Sequence, residues 1–318
     1  LSGGVLAATS APDYSPDFFT GLITESNWKD MSTNQDKPLL NRYIQGTYIP
    51  GSIVKMITQA ALLKQDNFDK NNKYHCPGFY QFGDRIFGCW FTEGHGSLNL
   101  VEAMSVSCDV YFYKTVTELS LENLYDTFNQ FGFGSKTNID IPNEASGLVP
   151  DKSYMSKRYG KSGWSRGVLL NLAIGQGELL VTPIQVLNYI NLLSTKGSSP
   201  NSHFVFVDNL PQNVKPELSS DIWSNIHNGL RSAIISSNGT GKKSDPNFND
   251  FLVFGKTGTA ENPHGDNHAW FVGWADYNEK KYSIVILLEN AGSGGAVAAP
   301  LAKKVFEKII ENSRFASR

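Results

Sequence analysis

The sequence predicts an α/β fold in which an antiparallel sheet is covered by helices and a mainly α-helical subdomain is inserted roughly within 56–250. Three observations lead there. Strand-like runs lie at both ends of the chain, helical spacing of apolar residues fills the middle, and Gly, Asn and Asp separate the C-terminal runs. Taken in order, residues 4–10 read as a glycine turn entering an apolar strand. Residues 50–63, 98–131, 179–194 and 221–235 each repeat apolar side chains at helical spacing. The runs 251–257, 268–275 and 282–289 are rich in β-branched and aromatic residues and read as an antiparallel meander. Residues 298–312 then place Leu301, Val305, Ile309 and Ile310 on one helical face, suited to cover one side of the sheet. The polar stretches 152–167 and 236–250 read as exposed loops. A strand at 4–10 pairing across more than two hundred residues implies one interleaved domain over 1–318 rather than two separate units.

Composition narrows the function. Twenty-eight Lys and Arg oppose 30 Asp and Glu, 18% of residues are charged and 12% aromatic, which fits neither a disordered chain nor an electrostatic binder of nucleic acid. No run of 18 apolar residues occurs, so the sequence as given holds no membrane-spanning segment, and its start lacks the pattern of a signal peptide. The abrupt beginning, LSGGVLAATSAP, reads as the cut edge of a longer protein. Three cysteines are too few and odd in number for a disulfide framework, yet they cluster at 76, 89 and 108.

The chemistry begins at Pro50-Gly51-Ser52-Ile53-Val54-Lys55, which opens an apolar helix. Residues three apart on a helix share a face, so the Lys55 amine can reach the Ser52 hydroxyl. Serine needs an adjacent base to become a nucleophile, and a partly desolvated lysine beside other cations can serve. The helix start adds N–H groups suited to a developing oxyanion. Alone, Ser-x-x-Lys is a weak signal, since serine before a helix is first of all a cap. Its company strengthens it: Ser107-Cys108-Asp109 precedes an aromatic helical run, and Lys256-Thr257-Gly258-Thr259 lies on the first strand of the meander. Ser-x-x-Lys, a Ser-Asp-Asn-type element and Lys-Thr-Gly are the set used by serine β-lactamases and penicillin-binding proteins, and here they occur in that order.

With these motifs, and with SGGVLAATSAP, LLNRYIQGTYIPGSIVK, IGQGELLVTPIQ, HAWFVGWA and LLENAGSGGAVAAPLAKKVFE beside them, the chain resembles the transpeptidase domain of class B penicillin-binding proteins over nearly its whole length. Within that family it is most similar to the elongation type; Asp109, where many relatives have Asn, fits that variant. The resemblance implies the penicillin-binding/serine β-lactamase-like transpeptidase fold. It implies cross-linking of peptidoglycan stem peptides through an acyl-enzyme that β-lactam antibiotics trap, with no cofactor for catalysis. Ser52 would attack the penultimate D-alanine carbonyl with Lys55 as base, Ser107 would relay protons, and Asp109 would bond substrate amide or Lys55. Lys256, Thr257 and Thr259 would hold the substrate carboxylate, and the N–H groups of Ser52 and Thr259 would form the oxyanion hole. Gly258 would leave room for substrate along the strand. An N-terminal membrane anchor and a pedestal domain outside this chain, a site on the periplasmic face of the cytoplasmic membrane, and a SEDS-family glycan polymerase and a rod-complex scaffold protein as partners are implied likewise.

Cys76, Cys89, His95 and Cys108 form a second constellation. Three thiols and an imidazole are a tetrahedral zinc set, but intervals of 12, 5 and 12 residues match no finger or ribbon. The glycine-rich segment 74–97 reads as a loop that a metal would tie down. A Cys76–Cys89 disulfide and plain packing of buried thiols are the alternatives, and His75 and Asp84 are substitute ligands. Some elongation-type relatives hold zinc beside the second motif; His95 and Cys108 fall at matching places, while Cys76 and Cys89 stand where those relatives have Asp. A zinc there would be structural. Two rival functions remain at this level: a β-lactamase or carboxypeptidase with the same acylation machinery, and a non-catalytic penicillin sensor or cell-wall scaffold.

Overall fold

Side chains alternate across a β-strand, so a strand buried on both faces must carry two different apolar sets. The C-terminal strands do. The computed structural model describes residues 2–160, 163–205, 216–263 and 265–315. Its elements are α1 (Glu25–Ser32), α2 (Lys55–Leu63) after a 3₁₀ turn at Gly51–Val54, four short strands β1 (Tyr74–Cys76), β2 (Phe79–Phe82), β3 (Arg85–Gly88) and β4 (Gly96–Leu98), then α3 (Leu100–Ser105), α4 (Asp109–Val116) and α5 (Leu121–Gln130). There follow α6 (Lys152–Tyr159), α7 (Gly167–Ala173), α8 (Pro183–Ser194), α9 (Ser220–Ile235), β5 (Leu252–Ala260), β6 (His268–Tyr277), β7 (Lys280–Leu288) and α10 (Ala299–Phe315).

Strands β5, β6 and β7 form the expected antiparallel meander in that order. One face carries Trp270, Val272 and Trp274 into the main core, shared with Met56, Ile57 and Ala60 of α2 and with α4, α8 and α9. The other carries Val253, Ala269, Phe271 and Ala275 against α10. The terminal helix covers the sheet with only part of the predicted face: Ile310 is buried and Ile309 packs beside it, but Leu301 and Val305 are exposed and Ala302 and Phe306 are buried in their stead. Small alanines at 298, 299 and 302 let the helix lie close to the sheet, a gain that outweighs burying the larger leucine and valine.

Three other expectations are corrected. Residues 4–10 do not join the sheet; Gly4 makes one isolated bridge to His203, and Leu6 is 83% exposed because nothing stands opposite it. The segment 74–97 is not a bare loop: β1 pairs with β4 and β2 with β3, both antiparallel. Residues 152–159 of the supposed loop form α6, because the Asp151 side chain caps it by accepting from Tyr154 N–H at 2.6 Å and Met155 is fully buried. Lys161 and Ser162 of that stretch lie outside the described residues. The helical run 98–131 divides into three helices, started by capping boxes at Asn99–Glu102 and Ser120–Asn123 and broken between them at Ser107, whose φ is +57°. Residues 179–194 contribute α8, entered through Thr182, Pro183 and Gln185 in another capping box.

Candidate active site and cysteine cluster

Ser52 lies in the 3₁₀ turn and is half-buried, and Lys55 is the first residue of α2. The cap position before the turn is Pro50, with no side-chain capping bond, so Ser52 is not spent on capping. Gly51 fixes the turn in place. Its φ is +59°, its N–H donates to Gly175 O at 2.8 Å, and a Cβ there would stand 2.8 Å from Thr259 O. The nucleophile turn is thus clamped between the loop before α8 and β5.

The Lys55 ammonium is fully buried and donates to Asp109 Oδ1 at 2.7 Å, to Ser107 O at 2.9 Å and to Ser107 Oγ at 3.3 Å. Three donors meet three acceptors. Asp109 Oδ2 in turn accepts from the Trp90 N–H at 3.0 Å, which orients the carboxylate from behind. The left-handed conformation of Ser107 turns both its carbonyl and its hydroxyl to Lys55, a strained placement for a residue with a side chain. The cap of α4 is Cys108, not Ser107, and its side chain makes no capping bond.

Lys256 is fully buried on β5 and donates to Thr257 O at 2.9 Å. Burial, and then the nearby charge of Lys55, push its amine well below the ordinary lysine range, with Asp109 opposing. Burial and the neighbouring ammonium thus both favour the neutral form of Lys256, beside the Lys55–Asp109 ion pair. Strand alternation sends Lys256 and Gly258 to the α2 side, opposite Val272 and Trp270, and Thr257 and Thr259 to the other. Thr257 is buried; Thr259 is exposed, and its Oγ1 accepts from Gly294 N–H at 3.3 Å. Gly258 has a reason within the fold itself: a Cβ would stand 2.8 Å from Ile53 Cγ2 and 3.1 Å from Pro50 O. The glycine lets the strand press on the nucleophile turn.

Cys76, Cys89, His95 and Cys108 converge, their donor atoms all within 4.8 Å of one another. Cys76 ends β1, Cys89 follows β3, His95 precedes β4 and Cys108 caps α4, so the two strand pairs gather the four. His95 Nδ1 faces Cys76 Sγ at 3.7 Å and Cys89 Sγ at 3.5 Å. Metal–ligand bonds near 2.3 Å to sulfur and 2.0–2.1 Å to nitrogen give tetrahedral edges of about 3.6 Å. Both separations from His95 Nδ1 match such an edge, and three thiols with one imidazole are a donor set that suits zinc. The three thiols are unbonded to one another and buried, and His95 Nε2 is buried without a protein partner among the described residues. The Cys108 thiol donates toward Cys89, favouring the thiolate at Cys89 and, with burial, raising the thiol at Cys108. His75 stands outside the cluster, exposed and 3.5 Å from Ser97 Oγ.

Sequence reasoning missed two contributors. The Trp90 N–H is a backbone group and carries no residue signature. Gln176, whose Nε2 donates to Thr259 O at 3.4 Å, lies between Gly175 and Gly177, both at positive φ, and this glycine pair was the available signal.

The pattern of the family described as "Penicillin binding protein transpeptidase domain" matches residues 2–307. The chain is similar to the peptidoglycan D,D-transpeptidase MrdA of Haemophilus influenzae, 31% identical over 330 residues that cover 95% of this chain and 50% of that protein. Among solved structures it is similar to penicillin-binding protein 2 of Helicobacter pylori in complex with MreC, with 35% identity, a TM-score of 0.85 and coverage of 95% of this chain and 57% of that one. It is also similar to the Pseudomonas aeruginosa penicillin-binding protein 2 in complex with WCK 5153, with 32% identity, a TM-score of 0.87 and coverage of 96% and 68%. The chain spans about half the length of the curated relatives it matches.

Proposed function

The chain belongs to the penicillin-binding protein transpeptidase domain family, and on that premise we propose that it is an elongation-type D,D-transpeptidase that cross-links peptidoglycan stem peptides through an acyl-enzyme on Ser52. The observation that carries this is the buried Lys55 with its three acceptors on Ser107 and Asp109, one helical turn from Ser52 and beside a neutral-favouring Lys256. A substrate carboxylate lying along the free edge of β5, with Lys256 on one face of the strand and Thr257 and Thr259 on the other, favours a charged Lys256. A proton passing from Lys55 through the Ser107 hydroxyl supplies that charge and leaves Lys55 neutral, ready to take the proton of Ser52. Ser52 Oγ then bonds to the penultimate D-alanine carbonyl, the N–H groups of Ser52 and Thr259 take the oxyanion, and the C–N bond to the terminal D-alanine breaks. The Ser107 relay returns a proton to the departing amine. An amine of a second stem peptide displaces Ser52 to complete the cross-link, and a β-lactam stops the cycle at the acyl-enzyme.

Cys76, Cys89, His95 and Cys108 would hold a structural zinc in this reading, which would neutralise the thiolates and fix the backbone that carries Ser107 and Asp109. No helix of the described residues is long and apolar enough to cross a membrane. The reading carries with it a membrane anchor and pedestal outside the chain and work at the periplasmic face of the cytoplasmic membrane. It also carries a SEDS-family glycan polymerase and a rod-complex scaffold protein as partners; a solved relative in complex with MreC supports the last. Incubation with a stem peptide ending in D-Ala-D-Ala and an amine acceptor is expected to release one D-alanine per amide formed, and a penicillin adduct is expected to persist. No amide product, or rapid turnover of the penicillin, would sink the assignment in favour of a hydrolase.

A further inference from the structure

The chain enters the nucleophile turn through Gly46-Thr47-Tyr48-Ile49-Pro50-Gly51, and of its last four residues only Tyr48 carries a polar side chain. The main chain of this segment is bonded along its length. Tyr48 N–H donates to Val181 O and Val181 N–H to Tyr48 O, each at 2.9 Å, and Gly51 N–H donates to Gly175 O at 2.8 Å. From the sheet, Trp270 Nε1 donates to Ile49 O at 3.1 Å. Backbone bonds of an extended segment run sideways, whereas its side chains stand above and below it. Displacement of the segment in that second direction is therefore resisted by side chains, and the polar one is Tyr48.

Tyr48 is buried, and its ring meets those of His268 at 5.7 Å and Trp270 at 6.2 Å edge to face. Its hydroxyl donates to Glu289 Oε1 at 2.6 Å, just past the end of β7. The second carboxylate oxygen, Oε2, accepts from Arg42 Nε at 3.1 Å. Arg42 is fixed in turn, since its two remaining nitrogens donate to Asp36 O at 2.6 Å and Lys37 O at 3.2 Å. Glu289 thus uses each oxygen for a different donor, one of them charged. Gly46 leaves the space this needs, because a Cβ there would push the Tyr48 hydroxyl aside. Burial first, and then the bond to Glu289, push the Tyr48 hydroxyl above its ordinary range, so it remains a donor at neutral pH. We propose that Tyr48 and Glu289 are positioning residues for acyl transfer: the carboxylate, oriented by Arg42, fixes the Tyr48 ring and through it the placement of the Ser52 turn against β5. The proposal rests on the reading of Ser52 as the nucleophile. Misplacing a reacting group by about 1 Å costs on the order of 100-fold in rate, and loss of one support among several is expected to cost about tenfold.

The test follows acylation of the full chain by a fluorescent penicillin over a range of concentrations. This separates the dissociation constant of the non-covalent complex from the first-order rate of acylation, with each rate counted per titratable site. Tyr48→Phe and Glu289→Ala are each expected to lower the first-order rate by about tenfold and to leave the dissociation constant within about twofold. Glu289→Gln, which keeps an acceptor for the Tyr48 hydroxyl, is expected to recover most of the rate. The double variant Tyr48→Phe/Glu289→Ala is expected to be no slower than the slower single one, because both changes remove the same bond. Rates within about twofold of the parent in both single variants, or losses that multiply in the double variant, overturn the proposal. So does weaker binding at an unchanged rate, or a loss of titratable sites with the rate per site preserved, which is the mark of a contact that serves folding alone. If Glu289→Ala does not fold, Tyr48→Phe, which removes a single oxygen, decides by its rate. A parent that is not acylated, or a Ser52→Ala that is, overturns the nucleophile reading itself, and is told apart because it needs neither Tyr48 nor Glu289 to be changed.

Discussion

Two buried polar clusters meet at Ser107-Cys108-Asp109, and they balance charge in opposite ways. On one side Lys55 and Asp109 neutralise each other at 2.7 Å, with Lys256 favouring its neutral form. On the other, three thiols and a histidine converge with no protein cation among them. The first cluster is balanced by its own residues; the second would be balanced by the zinc proposed for it. A polar core can be closed by counter-residues or by a metal, and adjoining positions of one segment can do each. Ser107 and Asp109 serve the catalytic side while Cys108 between them serves the other, so a disturbance of either cluster moves the backbone of both.

The comparison is broken most severely by removing the carboxylate. Asp109→Ala leaves a fully buried ammonium, and the expected loss is about 3–5 kcal/mol in denaturant unfolding, together with loss of penicillin labelling. A change within about 1 kcal/mol, the scale of exposed ion pairs in general, would mean that the pair is not buried as described. Next in size is the metal. Protein purified without a histidine tag is expected to hold one zinc by elemental analysis and Cys76→Ser under about half an equivalent. Acylation in that variant is expected to slow by about 10–100-fold, the scale for residues that support a reacting group from behind. Full activity in metal-free protein would separate the two clusters.

The smallest effect is that of pH on Lys256. Its folded pKa is lowered, first by burial and then by Lys55, whereas the unfolded lysine titrates near ~10.4. Between those two values the unfolded chain binds more protons, so stability rises with pH through that window, and the penalty for a charged Lys256 stands on its acid side. Lys256→Met is expected to flatten the rise in urea midpoints measured from neutral pH to about 10. Parallel curves for parent and variant would place the titration elsewhere.

Much of this was readable before the fold. The three C-terminal strands, α2 and α9 followed from periodicity, since each buries a face against something large. The strand expected at 4–10 had an apolar pattern but no neighbour, and pattern alone cannot supply one. In α10 the spacing was right and the face rotated, keeping Ile309 and Ile310 but turning Leu301 and Val305 out, because closeness of alanine, not size of leucine, decided the contact. In the site, Ser52 and Lys55 were visible because the helical repeat joins them. The pairing of Lys55 with Asp109 depends on the left-handed turn at Ser107, and the Trp90 N–H on a hairpin that the glycines of 74–97 made look like coil. The cysteine intervals matched no known pattern because strand pairing, not one compact loop, gathers the four residues.

The central claim is that Ser52 becomes acylated in a site built by Lys55, Ser107, Asp109 and Lys256. Peptide mapping of the protein after incubation with penicillin tests it most directly. The account predicts a single adduct on the peptide containing Ser52, absent from Ser52→Ala; an adduct on any other residue, or one retained by Ser52→Ala, would contradict it.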